Sequence, residues 1–310
     1  MQITKGMYKN MECAILENDN LRVKVLKQGG KIISACSKQS GREFFYQTEG
    51  KEYRLSPYDG SFLDGEFSGF DDMFPTIDRC IYPEYPFEGS VMPDHGEVWT
   101  LPWDIRKEEE KITLKVHGIR LPYILEKHIN LDKNTVKISY SVKNAAAYGF
   151  YFLWAAHPLI RCSEKTKLII PGAEKIINMM NDSTRLGRYG TIHNWPVTVT
   201  SKKENYDMSC IGKKELKLCE KYYIYNQIPA GHLTIEDSEW SVNFEYDVEK
   251  VPYLGVWVNE GGYAGQYNVA LEPCTAPYDD LNLAMKMRRV PVLGAGEEYN
   301  WELNLTFNDR

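Results

Sequence analysis

Polar and apolar residues alternate with a period of two along most of this chain. Ile112, Leu114 and Val116 alternate with Thr113, Lys115 and His117, and Val136, Ile138, Tyr140 and Val142 with Lys137, Ser139 and Ser141. Trp240, Val242, Phe244 and Tyr246 alternate with Ser241, Asn243 and Glu245, and Trp301, Leu303, Leu305 and Phe307 close the chain in the same rhythm. Leu21 to Leu26 reads as another strand, turned by Gly29-Gly30 into Lys31 to Ser37. Turn residues at Asp132-Lys133-Asn134 and Glu236-Asp237-Ser238 punctuate the runs. Antiparallel sheets with one wet face produce this pattern. Helical periodicity is confined to two short stretches, Ala173 to Met180 and Asp279 to Lys286. The pattern predicts an all-β fold, a large antiparallel β-sandwich.

Two stretches depart from the rhythm. From Ser56 to Trp103, six prolines and five glycines break the alternation, as turn chemistry does. That segment also carries Phe62, Phe67, Phe70, Phe74, Tyr82, Tyr85, Phe87, Trp99 and Trp103, too many aromatics for a disordered linker. An ordered, aromatic-rich loop laid on a sheet makes a pocket wall. Trp257 either lines the same pocket or fills the core. The second stretch is Asn268-Val269-Ala270-Leu271-Glu272-Pro273. Here Val269 and Leu271 face a core, while Glu272 shares the other face with Asn268 and Ala270. Pro273 reads as the strand's end, which places Glu272 at a sheet rim, either in a cleft or simply in water.

Length and charge narrow the classes. A chain of 310 residues with 43% hydrophobic and 13% aromatic residues can build one large sandwich, so 1–310 is read as one domain. A net charge of −6 without a basic run makes nucleic acid and anionic membranes poor partners. The opening Met1-Gln2-Ile3-Thr4-Lys5 has no apolar core of signal-peptide length, and the longest apolar run, Phe150 to Ala156, is too short for a bilayer span. Seven scattered cysteines without a CxxC or a metal spacing fit free thiols in a cytoplasmic protein.

Six histidines sort by phase. His117 and His128 fall in the polar phase of strands, and His193 and His232 in turns, so all four read as surface residues. His95 lies within the irregular loop, before Gly96, whose missing side chain lets a ligand or backbone come close. His157 ends the apolar run Phe150 to Ala156 and precedes Pro158, again at a rim.

Taken in order, His95-Gly96, His157-Pro158 and Leu271-Glu272-Pro273 resemble the galactose mutarotase-like (aldose 1-epimerase) superfamily. Phe70-Asp71-Asp72-Met73-Phe74-Pro75 resembles that family's segment before its first histidine, and Leu293-Gly294-Ala295-Gly296 its approach to the last strand. The likeness runs from about Leu21 to Phe307. It implies the family's β-supersandwich and an enzyme that interconverts α and β anomers of a free or phosphorylated aldose without cofactor or metal. Ring opening needs a base for the anomeric proton and an acid for the ring oxygen. The resemblance gives Glu272 the first role and His157, as an imidazolium, the second. His95 is left to hydrogen-bond the opening ring. The glutamate's field is expected to favour a charged histidine beside it.

Asp72, Arg79, Trp99 and Trp257 are the expected sugar-binding residues, with Asp71, Asn259 and Glu260 as further acidic or amide candidates. A phosphate would need Arg or Lys near the cleft, and Arg79 and Arg161 are the candidates, although each reads better as an exposed surface residue. The segment after His95-Gly96 is Glu97-Val98-Trp99, where many members have an aromatic residue or an arginine. The implied partner is a small sugar, and the protein is expected to be a monomer or homodimer. A non-catalytic sugar-binding or regulatory module on the same fold is the alternative, and a glycoside hydrolase is disfavoured by the single well-placed carboxylate. Thiol titration of the unfolded, unreduced protein is expected to count all seven cysteines; two or more missing would exclude the free-thiol reading.

Overall fold

The computed structural model describes residues 1–310. Two antiparallel sheets account for most of it. The first runs, edge to edge, through Gln2–Tyr8, Met11–Glu17, Leu21–Leu26, Ile32–Ser37, Phe70–Met73, Ala155–Pro158, Tyr267–Cys274, Tyr253–Glu260, Leu218–Ile224, Lys175–Asn178 and Ile192–Asn194. Ile160–Arg161 lies beside Tyr267–Cys274 as its twelfth strand. The second sheet has eight strands: Lys167–Ile169, His232–Glu236, Trp240–Tyr246, Glu298–Asp309, Thr135–Asn144, Tyr123–Asp132, Ile112–His117 and Asp104–Lys107. All-β architecture follows from the period-two pattern, and the single α-helix is the six-residue Leu281–Lys286, capped by the Asp280 side chain.

Burial follows the alternation where one face is wet. Along Thr135–Asn144 the apolar Val136, Ile138, Tyr140 and Val142 are buried and Lys137 and Lys143 are exposed. The middle of the first sheet differs, since every residue of Phe70–Met73 and of Ala155–Pro158 is buried. Tyr140, Trp154 and Trp301 stack at centroid distances of 5.0–5.1 Å in the core between the sheets. A buried ion pair also crosses that core. Asp72 meets the Lys127 ammonium at 2.6 Å and accepts from the Trp154 indole at 3.1 Å.

Three sequence expectations change here. The helix expected over Ala173 to Met180 is the strand Lys175–Asn178, because Ile176 and Ile177 find partners in Leu218–Ile224 and Ile192–Asn194. The strand carrying Glu272 does not stop at Pro273 but runs on to Cys274. It lies mid-sheet, where Pro273 opposes Leu254 and Ala155 is the one residue of Ala155–Pro158 that pairs with it. Glu272 is therefore fully enclosed rather than at a rim. His193 sits on the strand Ile192–Asn194, with its ring nitrogens engaged by Thr198 and the Leu186 carbonyl. All seven cysteines are free. No helix is long and apolar enough to cross a membrane.

Breaking the pair between the sheets leaves a buried cation without a partner, which costs about 3–5 kcal/mol. Asp72→Ala is therefore expected to lower the urea midpoint by a large fraction of total stability, while Asp132→Ala, in the exposed Lys137 pair, should change it little. Equal midpoints would contradict this role for Asp72.

Candidate active site

Pairing register gathers the site on one face of the first sheet. Glu272 opposes Gly255, and Gly255 opposes Tyr223 on the next strand. Trp257 opposes both Ala270 and Lys221. Residues directly opposite one another point the same way, as do residues two apart. Glu272, Trp257, Lys221 and Tyr223 thus share one face, and Leu271, facing the other way, is buried in the main core. His157 belongs to the same side, two residues from Ala155, which pairs with Cys274.

Gly255 is what lets the strands communicate. A Cβ there would lie 3.1 Å from both Glu272 Oε2 and the Tyr223 ring, so a side chain would crowd the space across which Lys221 reaches. The Lys221 ammonium donates to Glu272 Oε2 and lies 3.5 Å from Asp279 Oδ1. Asp279 also accepts from the Tyr223 hydroxyl at 2.7 Å. The other Glu272 oxygen, Oε1, has no hydrogen-bond partner and stands 3.8 Å from His157 Nε2. His157 Nδ1 is also unpartnered.

His95 arrives from the irregular loop. Its backbone is left-handed, with φ of 58°, and Gly96 follows at 73°. A Cβ at Gly96 would fall 2.2 Å from the Phe74 carbonyl oxygen, so the space beside this glycine is taken by backbone and not by a ligand. The resulting turn stacks the His95 ring on Phe62 at 4.1 Å and holds it 6.0 Å from the His157 ring. Asp94 sets both partners, with Oδ1 2.8 Å from His95 Nδ1 and Oδ2 accepting from the Phe62 N–H at 2.9 Å.

These groups enclose a cavity of about 170 Å³, walled by Phe62, Phe67, Trp257 and Tyr263, with Asp78, Gln266 and Asp279 among its polar lining. Its volume lies well below the roughly 300–1,000 Å³ of sites for drug-sized ligands.

Charge in the cavity is closely balanced. Burial pushes the Glu272 carboxyl above its ordinary range, Lys221 pulls it back, and Asp279 pushes it up again. Burial disfavours the Lys221 charge, but Asp279 and Glu272 together outweigh that and hold its proton more tightly than usual. Asp78 is pushed up to about 6 by burial and by the nearby Asp279. His157 is driven well below the usual histidine range by burial, then by the positive charges of His95 and Lys221. This reverses the expectation of an imidazolium favoured by Glu272. The glutamate's field is largely met by Lys221, and burial acts on the histidine unopposed.

Of the residues predicted from sequence, Glu272, His157, His95 and Trp257 line the cavity. Asp72 does not, because the pleat turns it into the intersheet pair with Lys127. Asp71 faces the His157 side but is taken by Lys31 at 2.8 Å. Arg79 is a surface residue paired with Asp59. Trp99 stands behind the wall, edge-on to Phe62 at 5.1 Å with its indole donating to the Asp94 carbonyl. Asn259 binds the Tyr263 backbone, Glu260 binds Arg185, and Arg161 is exposed. Lys221, Asp78, Asp279, Tyr263 and Gln266 were not anticipated. Lys221 follows Glu220 and precedes Tyr222-Tyr223-Ile224, where the alternation fails and a lysine beside a glutamate gives no signal, whereas Asp279 stands in an acidic turn that follows Pro277.

A family model described as Aldose 1-epimerase matches residues 12–306. The chain belongs to the aldose 1-epimerase family. No curated protein matches it in sequence. Among solved structures, the Slr1438 protein of Synechocystis sp. PCC 6803 superposes with a TM-score of 0.74 at 16% identity, covering 98% of this chain and 99% of that one. The galactose mutarotase related enzyme of Lactobacillus acidophilus gives 0.69 at 14% identity, covering 96% and 97%. A galactose mutarotase-like protein from Lactobacillus casei ATCC 334 gives 0.70 at 15% identity, covering 96% and 100%. At such identities the likeness is one of fold, and the match to the family's β-sandwich is complete along the chain.

Proposed function

We propose that this family member is an isomerase that interconverts the α and β anomers of a free aldose by acid–base ring opening. The observation that carries the proposal is the unpartnered Glu272 Oε1 facing His157 Nε2 at 3.8 Å inside an aromatic-walled cavity. That separation is too long for a hydrogen bond between them, so both groups keep their capacity for a substrate. Glu272 takes the proton of the anomeric hydroxyl as the bond from C1 to the ring oxygen breaks, and His157 gives a proton to that oxygen. Rotation about C1–C2 turns the aldehyde's other face, and the same transfers run backwards to close the ring. His95, oriented by Asp94, hydrogen-bonds the substrate as charge shifts between the oxygens. The aromatic wall suits the apolar face of a sugar.

Charge favours an unphosphorylated sugar. Lys221 is the single Lys or Arg lining the cavity, and Glu272 and Asp279 already engage it. Asp78 and Asp279 add negative character at the same end, which repels a phosphate. Hydroxyls, by contrast, donate well to carboxylates.

Anomer exchange followed by NMR is expected to accelerate with glucose, galactose or a related free aldose, and far less with the 6-phosphate of the same sugar. Glu272→Gln and His157→Asn should each slow exchange by about 10²–10⁴-fold, the span for losing a general acid or base. His117→Asn, on the exposed end of its strand, should be silent. Near-full activity in Glu272→Gln refutes the mechanism, and a parent that accelerates no aldose leaves a binding module in its place.

The pH profile has a definite sign. The reaction needs His157 protonated, although its pKa lies below 6.5, and Glu272 ionised, although its pKa lies above 4.5. kcat/KM is therefore expected to peak on the acid side of neutrality and fall as pH rises through 7. A profile still rising there contradicts His157 as the acid.

A further inference from the structure

We propose that Lys221 is a positioning residue for Glu272: it fixes one carboxylate oxygen, keeps the group ionised and leaves the other oxygen aimed at His157. The inference rests on Glu272 being the base.

Three observations carry it. Lys221 and Glu272 lie on strands that are not neighbours, separated by the strand of Gly255, and meet because that residue has no side chain. The ammonium engages Oε2 alone, while Oε1 stays without a partner on the His157 side. Lys221 has its own anchor, since Asp279 lies 3.5 Å from the ammonium and is held by the Tyr223 hydroxyl at 2.7 Å and, through its carbonyl, by the Asp78 N–H at 2.9 Å. A lysine merely solvating a glutamate would not need this support. The line Tyr223–Asp279–Lys221–Glu272 reads as a brace running from the sheet to the Glu272 oxygen that does not face His157.

The groups facing Glu272 have opposing signs. Lys221 and His95 favour its ionised form, and Asp279 disfavours it. Cys274, next on the same face of its own strand, and Tyr223 are neutral thiol and phenol, both held protonated by burial. His157 is neutral for the reason given above. Lys221 is thus the main counterweight to burial. Without it, Glu272 should hold its proton to higher pH, and a protonated glutamate cannot act as a base.

The test titrates Glu272 directly, by ¹³C NMR of protein labelled at glutamate side-chain carboxyls, with the signal assigned by its loss in Glu272→Gln. In Lys221→Met the midpoint is expected to rise by about one unit or more, and in Lys221→Arg to stay near the parent's. In kinetics, the kcat/KM deficit of Lys221→Met should be largest at the acid end of the profile, approaching about 10-fold for each unit of midpoint shift, since one unit is tenfold in ionised fraction below both midpoints. That deficit should shrink as pH rises. A purely structural lysine would lower kcat/KM by the same factor at every pH. Lys221→Gln, which keeps a polar side chain and loses the charge, should raise the Glu272 midpoint as Lys221→Met does.

An unchanged midpoint in Lys221→Met, or a deficit independent of pH, overturns the proposal. If Lys221→Met does not fold, an unchanged midpoint in Lys221→Gln overturns it instead. The titration requires no substrate. A parent that turns over no aldose but shows the predicted midpoint shifts would therefore refute the proposed reaction and leave the brace intact.

Discussion

A pleated strand sends successive side chains to opposite faces, and the molecule depends on that constraint at the centre of its first sheet. Asp71 and Asp72 are adjacent, chemically identical and fully buried, yet they serve different layers. Asp72 enters the core and ties the sheets together through Lys127, with Trp154 donating to its second oxygen. Asp71 faces the other way, opposite His157, and pairs with Lys31. The same alternation separates Glu272 in the cavity from Leu271 in the core. A one-residue slip in register would bury the Glu272 carboxylate among aliphatic side chains and turn a leucine into the cavity.

Burying so many charges is tolerable because nearly all are matched. Desolvation works against the charges of Glu272 and Lys221, and the compact arrangement of two carboxylates around one ammonium offsets it. The consequence is a cavity with a defined electrical character: a carboxylate held by a lysine, a histidine whose proton burial disfavours, and further acidic groups at Asp78 and Asp279. That character bears on substrate choice more directly than the cavity's size does. It also means that the state of Glu272 cannot be understood without the lysine two strands away.

The irregular segment between Ser56 and Trp103 is divided in its work. Phe70–Met73 becomes a central strand, while Phe62, Phe67 and His95 form cavity wall. Gly96 is obligatory at its position because the Phe74 carbonyl occupies the space a side chain would need. Asp94 then joins the histidine to the aromatic wall through two different oxygens. The histidine's position is therefore a property of the whole turn.

Local chemistry in the sequence was enough to determine the β architecture, since period-two alternation, turn residues and sparse helical signal are all short-range properties. It also placed Glu272 on the face opposite Val269 and Leu271, and the order of His95, His157 and Glu272 with their neighbours identified the family. Depth was not legible. A glutamate before a proline reads as a rim residue, and only the strands packed on both sides bury it. Asp72 and Arg79 have the residue types of sugar ligands, but a lysine from the other sheet captures the first and a surface aspartate the second. Lys221 was invisible for the converse reason. In sequence it is one lysine next to Glu220, and its meaning comes from two ladders of pairing and a glycine 34 positions away. Charge state, likewise, was decided by tertiary structure, because desolvation and through-space fields depend on which groups the fold brings together.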